Sequence, residues 1–291
     1  MQTLPFFTKL KNTNDFNNLA WNLPEQKSGT INLVGGHSGG FFAPVQAAEY
    51  LSHNFPIKTV NLLLPDALKN KLPAISGSPS TASTSSTGSP AISPLNGSSL
   101  NPIFLPSTDS GSLAKSDLLS DHFKQCDFTI LIGDLSKNSA TTIAISEAIK
   151  QSATPVLITR DGIDLLLPEM STLISREDLF VVGSLAQIQK LFRSVYYPKM
   201  ILLSQPLLPI VEALHKFTLS HPTTILTFHN DQIITASQGE VLALPLEATV
   251  YSGQPIRLWS GDLACRIAAL NLFNPHQKLP ATTLATTYQP L

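Results

Sequence analysis

The sequence predicts an α/β protein whose central sheet is mostly parallel and carries helices on both faces, with short antiparallel strands at one edge near the C-terminus. Two observations predict this class. Short apolar runs alternate with helix-length segments from residue 30 to residue 220, which is typical of parallel strands joined by helical crossovers. Three short strand-like runs separated by turn residues follow over 224–244, which is typical of antiparallel hairpins.

Composition limits the classes of function. The chain has 291 residues, of which 43% are hydrophobic and 13% charged, and its formal net charge is -1. We expect one domain over 1–291 with a substantial core. A net charge near zero argues against nucleic acid or an anionic membrane as the main partner. Cys126 and Cys265 have neither metal nor disulfide spacing, and no leader or membrane-length apolar run is evident, so a cytoplasmic location is expected.

The first part of the chain predicts a strand, a glycine loop and a helix. Residues 1–28 are predicted to form a leading helix packed on the domain. A strand over 30–34 then ends in the run Gly35-Gly36-His37-Ser38-Gly39-Gly40, and a helix over 43–51 follows. A glycine loop in this position lets a ligand approach the backbone, although the run matches neither the dinucleotide nor the phosphate-loop fingerprint. His37 is interpreted as a solvated loop histidine.

A change of composition follows the second predicted strand, over 59–65. Residues 76–112 are rich in Ser, Thr, Pro and Gly and carry almost no charge. Such a segment cannot bury enough apolar surface to offset the entropy of ordering it. It is therefore predicted to be a flexible surface insertion within the domain, with 103–106 apolar enough to dock as a short extended piece.

Strand and helix units resume after this segment. The remaining predicted strands lie over 128–132, 155–159, 180–182, 200–203, 224–228, 232–236 and 240–244, and the helices over 139–152, 185–196 and 210–220. Ligands of such sheets bind at the carboxyl ends of the parallel strands. We therefore expect the loops at Gly35, Gly133, Thr159 and Ser260 to lie together on one rim of the sheet.

The stretch Ser260-Gly261-Asp262 is predicted to begin a helix, because an apolar stripe of Leu263, Ile267 and Leu270 follows it. A helix start has unpaired N–H groups and the positive end of the helix dipole, so a phosphate is stabilised there. Gly261 permits close approach, and Asp262 is a candidate base. Alternatively, Ser260 or Asp262 simply caps an ordinary helix. Arg266, one turn later, is expected to form an ion pair rather than a phosphate contact.

The order of these pieces resembles the ADP/ATP-dependent NAD(P)H-hydrate dehydratases of the ribokinase-like superfamily. The similar segments are INLVGGHSGGFFAPVQAA over 31–48, CDFTILIG over 126–133, PVLITRDGIDLL over 155–166 and WSGDLA over 259–264. In the family they correspond to a first glycine loop, a strand ending in G-P-G-L-G, the run P-L-V-L-D-A-D-A-L-N-L-L, and the loop G-[ST]-G-D-V-L-A. The resemblance spans about residues 30 to 273 in order, and no single motif is complete.

The resemblance implies a ribokinase-like fold and a nucleotide-dependent repair of hydrated nicotinamide cofactor. The implied cofactor is ADP or ATP, with Mg2+ where a metal is used. The implied substrate is NAD(P)H-hydrate or another small phosphorylated molecule, and homo-oligomers are common among such relatives. Asp262 takes the place of the base that acts on the substrate hydroxyl. The implied cofactor-binding residues are Gly35, Gly36, Gly39, Gly133, Asp161, Ser260 and Gly261.

Several positions depart from the family pattern. Gly133 is followed by Asp134-Leu135-Ser136-Lys137 instead of P-G-L-G, and Thr159 stands where the first aspartate of D-A-D belongs. The histidine and glutamate of T-P-H-x-G-E are absent over 203–208, and the lysine of L-K-G is also missing. Trp259 replaces the first glycine of the last loop. Two alternatives therefore remain: a non-catalytic relative that serves as a binding or structural module, and a small-molecule kinase.

Overall fold

The computed structural model describes residues 4–71 and 99–290. Its strands are β1 (Phe7–Lys9), β2 (Ser28–Gly35), β3 (Ile57–Pro65), β4 (Ser99–Leu105), β5 (Phe128–Gly133), β6 (Val156–Thr159), β7 (Leu179–Val182), β8 (Thr224–His229), β9 (Gln232–Ser237) and β10 (Glu240–Pro245). Its α-helices are α1 (Phe42–Asn54), α2 (Asp117–Lys124), α3 (Ser139–Gln151), α4 (Asp161–Leu166), α5 (Met170–Leu173), α6 (Leu185–Ser194), α7 (Leu207–Ser220), α8 (Gly261–Phe273) and α9 (Lys278–Leu284).

The strands form one sheet in the order β1-β10-β9-β8-β7-β6-β5-β2-β3-β4. All neighbours from β8 to β4 are parallel, whereas β8, β9 and β10 are joined as antiparallel hairpins. The predicted fold class is therefore confirmed, including the antiparallel strands near the C-terminus.

The sheet separates two apolar layers. In β5 every residue is buried, and successive side chains point to opposite faces, so Leu131 packs in one layer while Ile130 and Ile132 pack in the other. The first layer includes residues of α2, α3, α6 and α7, and the second includes residues of α1, α8 and α9. Because α1 and α8 share the second layer, their first turns are brought to the same part of the molecule.

Two sequence predictions of secondary structure are wrong. The leading helix predicted over 1–28 is absent from residues 4–28, the part that the structure describes: β1 pairs in parallel with β10, and a 3₁₀ helix covers Asn14–Asn22. Asn and Asp side chains compete for backbone hydrogen bonds, as the Asn12 side chain does with the N–H of Asn14, and this disfavours an α-helix. Residues 200–203 do not form a strand, because β8 already occupies the place beside β7, and Leu203 is exposed.

The predicted flexible insertion over 76–112 is wrong for its last part, whereas the extended piece predicted at 103–106 is confirmed over 103–105; residues 76–98 lie outside the described residues. Residues 99–105 form β4, which pairs with β3 over its full length, and Leu105 is buried. The following loop reaches the glycine loop, where the N–H of Ser38 donates to the carbonyl of Gly111 at 2.9 Å. It also reaches the start of α3, where Asn138 Nδ2 donates to Ser110 Oγ at 3.0 Å. The loop after β4 is thus hydrogen-bonded both to the glycine loop after β2 and to the loop between β5 and α3.

Candidate functional site

The carboxyl ends of β2 and β5 and the first turn of α8 meet on one rim of the sheet. The N–H of Gly36 donates to the carbonyl of Gly133 at 3.2 Å. A Cβ atom on Gly35 would overlap that same carbonyl oxygen, and one on Gly261 would lie 3.0 Å from Ala47 Cβ in α1 and 3.2 Å from Ile132 Cδ1 in β5. The structure therefore brings Gly35, Gly36, Gly133 and Gly261 together. Close packing against backbone requires glycine at position 35, and the packing around Gly261 is tight.

The glycine loop forms a compact turn. His37 and Gly40 exchange backbone hydrogen bonds of 2.8 and 3.0 Å, and the N–H of Gly39 donates to His37 Nδ1 at 3.0 Å. His37 is half-buried and stabilises its own loop, so it is more than the solvated histidine that the sequence suggested.

Two carboxylates bond to backbone amides of the rim. Asp161, the first residue of α4, accepts the N–H of Asp134 at 3.1 Å and that of Leu135 at 2.7 Å. Asp134 in turn accepts the N–H of Ala43, in the first turn of α1, at 2.9 Å. Its other oxygen lies 3.3 Å from the guanidinium of Arg160. The structure thus places Asp161 beside Gly133, where its carboxylate bonds to the protein's own loop.

The first turn of α8 has a different arrangement. The Ser260 side chain does not cap this helix, because its hydroxyl contacts the carbonyl of Arg257 and the carboxylate of Asp262 instead. Asp262 also pairs with Arg266 across one helical turn, with 3.3 Å between Oδ2 and Nη2. The expected ion pair of Arg266 is therefore confirmed. Trp259 is only partly buried and packs against the apolar layer below.

Arg266 is buried and lies close to the side chains of two tyrosines. Its Nε donates to Tyr50 Oη at 2.8 Å and its Nη1 to the carbonyl of Tyr288 at 2.7 Å. The guanidinium carbon lies 5.7 Å from the ring centroids of both Tyr50 and Tyr251, within cation–π range. Burial raises the pKa of Tyr251, and the nearby carboxylate of Asp262 raises it further. Both tyrosines therefore stay neutral beside the ion pair.

Solved structures of known proteins share this architecture. A ribokinase-like superfamily protein from Enterococcus faecalis V583 is 13% identical and superimposes with a TM-score of 0.67, covering 98% of this chain and 88% of that one. The fold is ribokinase-like. An ADP/ATP-dependent NAD(P)H-hydrate dehydratase from Bacillus subtilis, co-crystallized with ATP/Mg2+, is 11% identical with a TM-score of 0.51, covering 98% of this chain and 88% of that one.

A hydroxyethylthiazole kinase protein from Pyrococcus horikoshii OT3 is 10% identical, with a TM-score of 0.50 over 93% of this chain and 80% of that one. No protein-family model matches the chain, and no curated protein matches it either. Identities this low show the ribokinase-like fold alone, because one fold supports many activities. The activity of this protein therefore depends on the side chains on the rim and does not follow from the fold.

The sequence did not predict two features of this ribokinase-like rim. Asp134 departs from a glycine-rich motif, and its carboxylate bonds to the start of α1. Its φ is 54°, which Asp and Asn tolerate better than most residues, so an aspartate directly after the glycine that ends β5 was the available sequence signal. The second feature is the pair Tyr50 and Tyr251, which no local pattern connects to Arg266.

Two features are absent from the described ranges 4–71 and 99–290. Within them, no group of three or more His, Cys, Asp or Glu side chains is arranged to hold a metal ion. Within the same ranges, no helix combines the length and apolar character needed to cross a bilayer.

Replacing Tyr251 with phenylalanine is expected to raise the free energy of unfolding by about 1 kcal/mol. The Tyr251 hydroxyl is buried and has no hydrogen-bond partner among the described residues, and such a group costs about 1 to 3 kcal/mol. Chemical denaturation of Tyr251→Phe measures the effect. Tyr50→Phe is the matched control and should destabilise the protein, because that hydroxyl accepts a hydrogen bond from the same arginine. A loss of stability in Tyr251→Phe would show that its hydroxyl is satisfied.

Proposed function

We propose that the rim at α8 binds a small phosphorylated molecule and that the protein is a nucleotide-dependent NAD(P)H-hydrate dehydratase with Asp262 as its base. One observation supports this proposal above the others. The carboxylate of Asp262 lies in the first turn of a 13-residue helix whose preceding residue, Ser260, does not cap it. An anion-stabilising helix start and a candidate base thus occur side by side.

The residues of this chain have separate roles in the proposed reaction. The amides at Gly261 and Asp262 stabilise the negative charge of the phosphoryl group, while the loop at Gly35, Gly36 and Gly39 forms the facing wall. The Asp262 carboxylate accepts the proton of the substrate hydroxyl as that oxygen attacks the terminal phosphorus of ATP or ADP, and ADP or AMP is the leaving group. Elimination then breaks the carbon–oxygen bond to the new phosphate, which leaves, while the adjacent carbon loses a proton and a carbon–carbon double bond forms.

The ion pair with Arg266 limits this role. Asp262 Oδ2 lies 3.3 Å from Arg266 Nη2, so the carboxylate must turn from Arg266 toward the substrate before it can accept a proton. The proposal therefore requires this pair to open when substrate binds.

A non-catalytic relative is the second candidate, and the Asp262–Arg266 pair is the observation that favours it. Only 14% of the Asp262 side chain and 9% of the Arg266 side chain are exposed. A carboxylate held in such a pair can be structural, and the rim then serves only to bind a molecule or to maintain the fold. This candidate predicts that the Asp262 carboxylate is dispensable for ligand binding.

Turnover and nucleotide binding distinguish these candidates. Thermal unfolding with millimolar ATP or ADP, with and without Mg2+, should show a raised midpoint if the rim binds nucleotide. We expect Asp262→Asn to reduce the consumption of hydrated NADH about a hundredfold, because general-base catalysis contributes at least this much. Asp117→Asn is the matched control, since Asp117 lies exposed in the first turn of α2.

Each outcome selects one candidate. Nucleotide binding without turnover of any hydroxyl compound, or no midpoint shift at all, favours the non-catalytic relative. Nucleotide consumption that needs another hydroxyl compound indicates a kinase. Turnover of hydrated NADH that is unchanged in Asp262→Asn contradicts the role of Asp262 as base.

A further inference from the structure

Backbone amides at two places on the rim already bond to carboxylates of this chain. Asp161 accepts two consecutive amides, those of Asp134 and Leu135, which is the arrangement that commonly binds an anion. Asp134 accepts the Ala43 amide at the start of α1, where an anion is likewise favoured. Each carboxylate thus occupies a position that a ligand phosphate would otherwise take.

The loop after β5 is shaped around the Asp161 carboxylate. Gly133 has a φ of 109°, a conformation that side-chain-bearing residues rarely adopt. A Cβ atom on it would overlap Asp161 Oδ1 and lie 3.1 Å from Arg160 Nε. The side chains of Arg160 and Asp161, which follow β6, therefore fill the space where a side chain at position 133 would lie.

The charges in this half of the rim oppose a second anion. Asp134 and Asp161 carry two negative charges, and Arg160 supplies one positive charge at 3.3 Å from Asp134. Asp134 and Arg160 both have a φ of 54°, a conformation that costs free energy in a non-glycine residue and persists only when the surroundings enforce it. The arrangement is thus held firmly, and a phosphate that approached the amides of Ala43, Asp134 or Leu135 would meet a carboxylate already bonded to them.

We infer that Asp134 and Asp161 are specificity-determining residues that exclude anionic groups from the half of the rim formed by β5 and β6. They confine the anionic part of a ligand to the first turn of α8, and the part that faces Asp134 and Asp161 is uncharged or cationic. This inference rests on the proposed ligand site at α8. It reassigns Gly133 and Asp161 from direct contact with a phosphate to the exclusion of one.

Isosteric variants test this inference with inorganic anions as probes. Asparagine tolerates the backbone conformation at Asp134, so Asp134→Asn should fold, and in Asp161→Asn the amide oxygen still accepts a hydrogen bond. Calorimetric titration of each purified full-length variant with phosphate and with tripolyphosphate measures affinity. We expect both variants to bind tripolyphosphate at least tenfold more tightly than the natural protein does, and phosphate less than threefold more tightly. Asp117→Asn should bind both anions as the natural protein does.

The outcomes separate this inference from the proposed function. Variants whose tripolyphosphate affinity stays within threefold of the natural protein overturn the inference, whether or not phosphate binds at α8. An equal gain for both anions also overturns it, because the carboxylates would then act as general surface charge. Tripolyphosphate binding by the variants alone, with no phosphate binding by the natural protein, supports the inference and contradicts the site at α8.

Discussion

Replacing Arg266 with methionine is expected to lower the free energy of unfolding by about 3 to 5 kcal/mol, because removal of one partner leaves the other charge poorly solvated. The arginine is 7% exposed and bonds to Asp262, to the Tyr50 hydroxyl and to the carbonyl of Tyr288. Methionine fills a similar volume, so little cavity forms. The loss in free energy of unfolding therefore comes mainly from removal of the charge and its hydrogen bonds. Chemical denaturation followed by circular dichroism measures the change.

An exposed ion pair provides the control for Arg266→Met. Lys190 pairs with Asp164 at 2.6 Å, but 52% of its side chain is exposed, and Lys190→Met should cost less than about 1 kcal/mol. The double variant Asp262→Asn, Arg266→Met should be more stable than Arg266→Met alone, since the unpaired carboxylate is then removed. Equal losses in Arg266→Met and Lys190→Met would contradict the buried ion pair.

Replacing Gly35 with alanine is expected to lower the free energy of unfolding by about 3 kcal/mol. The added Cβ would overlap the carbonyl oxygen of Gly133 and lie 3.2 Å from Pro44 Cγ. The ends of β2 and β5 are joined by hydrogen bonds, so the backbone cannot shift freely, and overpacking of this kind costs about 1 to 3 kcal/mol or more. Urea denaturation of Gly35→Ala measures the loss.

Gly253 offers the matched glycine control. Nothing lies within 4 Å of a Cβ atom built there, and its backbone does not have a positive φ. Gly253→Ala should therefore change the free energy of unfolding by less than about 1 kcal/mol, in the stabilising direction if its backbone suits alanine. If Gly35→Ala were as stable as Gly253→Ala, the close approach of β2 to β5 would be contradicted.

The sequence predicted the central strands well because they are buried on both faces. A run such as Phe128–Gly133 consists almost entirely of apolar residues, which is the pattern of a parallel strand covered by helices. In contrast, β1 has only three residues, and it is a strand because β10 lies beside it, which no local pattern reveals. Residues 200–203 show the opposite error. Their apolar run predicts a strand, but β8 occupies the position beside β7 and no strand forms there.

The rim was predictable only in part for the same reason. Topology places the ends of parallel strands on one side, so the meeting of Gly35, Gly133 and Gly261 followed from the order of elements. The bonds of Asp161 to the loop after β5 join residues 26 and 27 positions apart, and Arg266 lies 216 positions from Tyr50. Such contacts depend on how loops and helices pack, and a single sequence does not reveal them.

The short strand β1 covers part of the backbone edge of β10. Its backbone bonds to β10 through the N–H of Leu10 to Ala243 and the N–H of Val241 to Phe6, each at 2.8 Å. Without these residues, the outer backbone of a hairpin strand would be open to strands of other molecules, which is how soluble sheets begin to aggregate. Shortened versions of this protein prepared for crystallization should therefore keep residues 6–10.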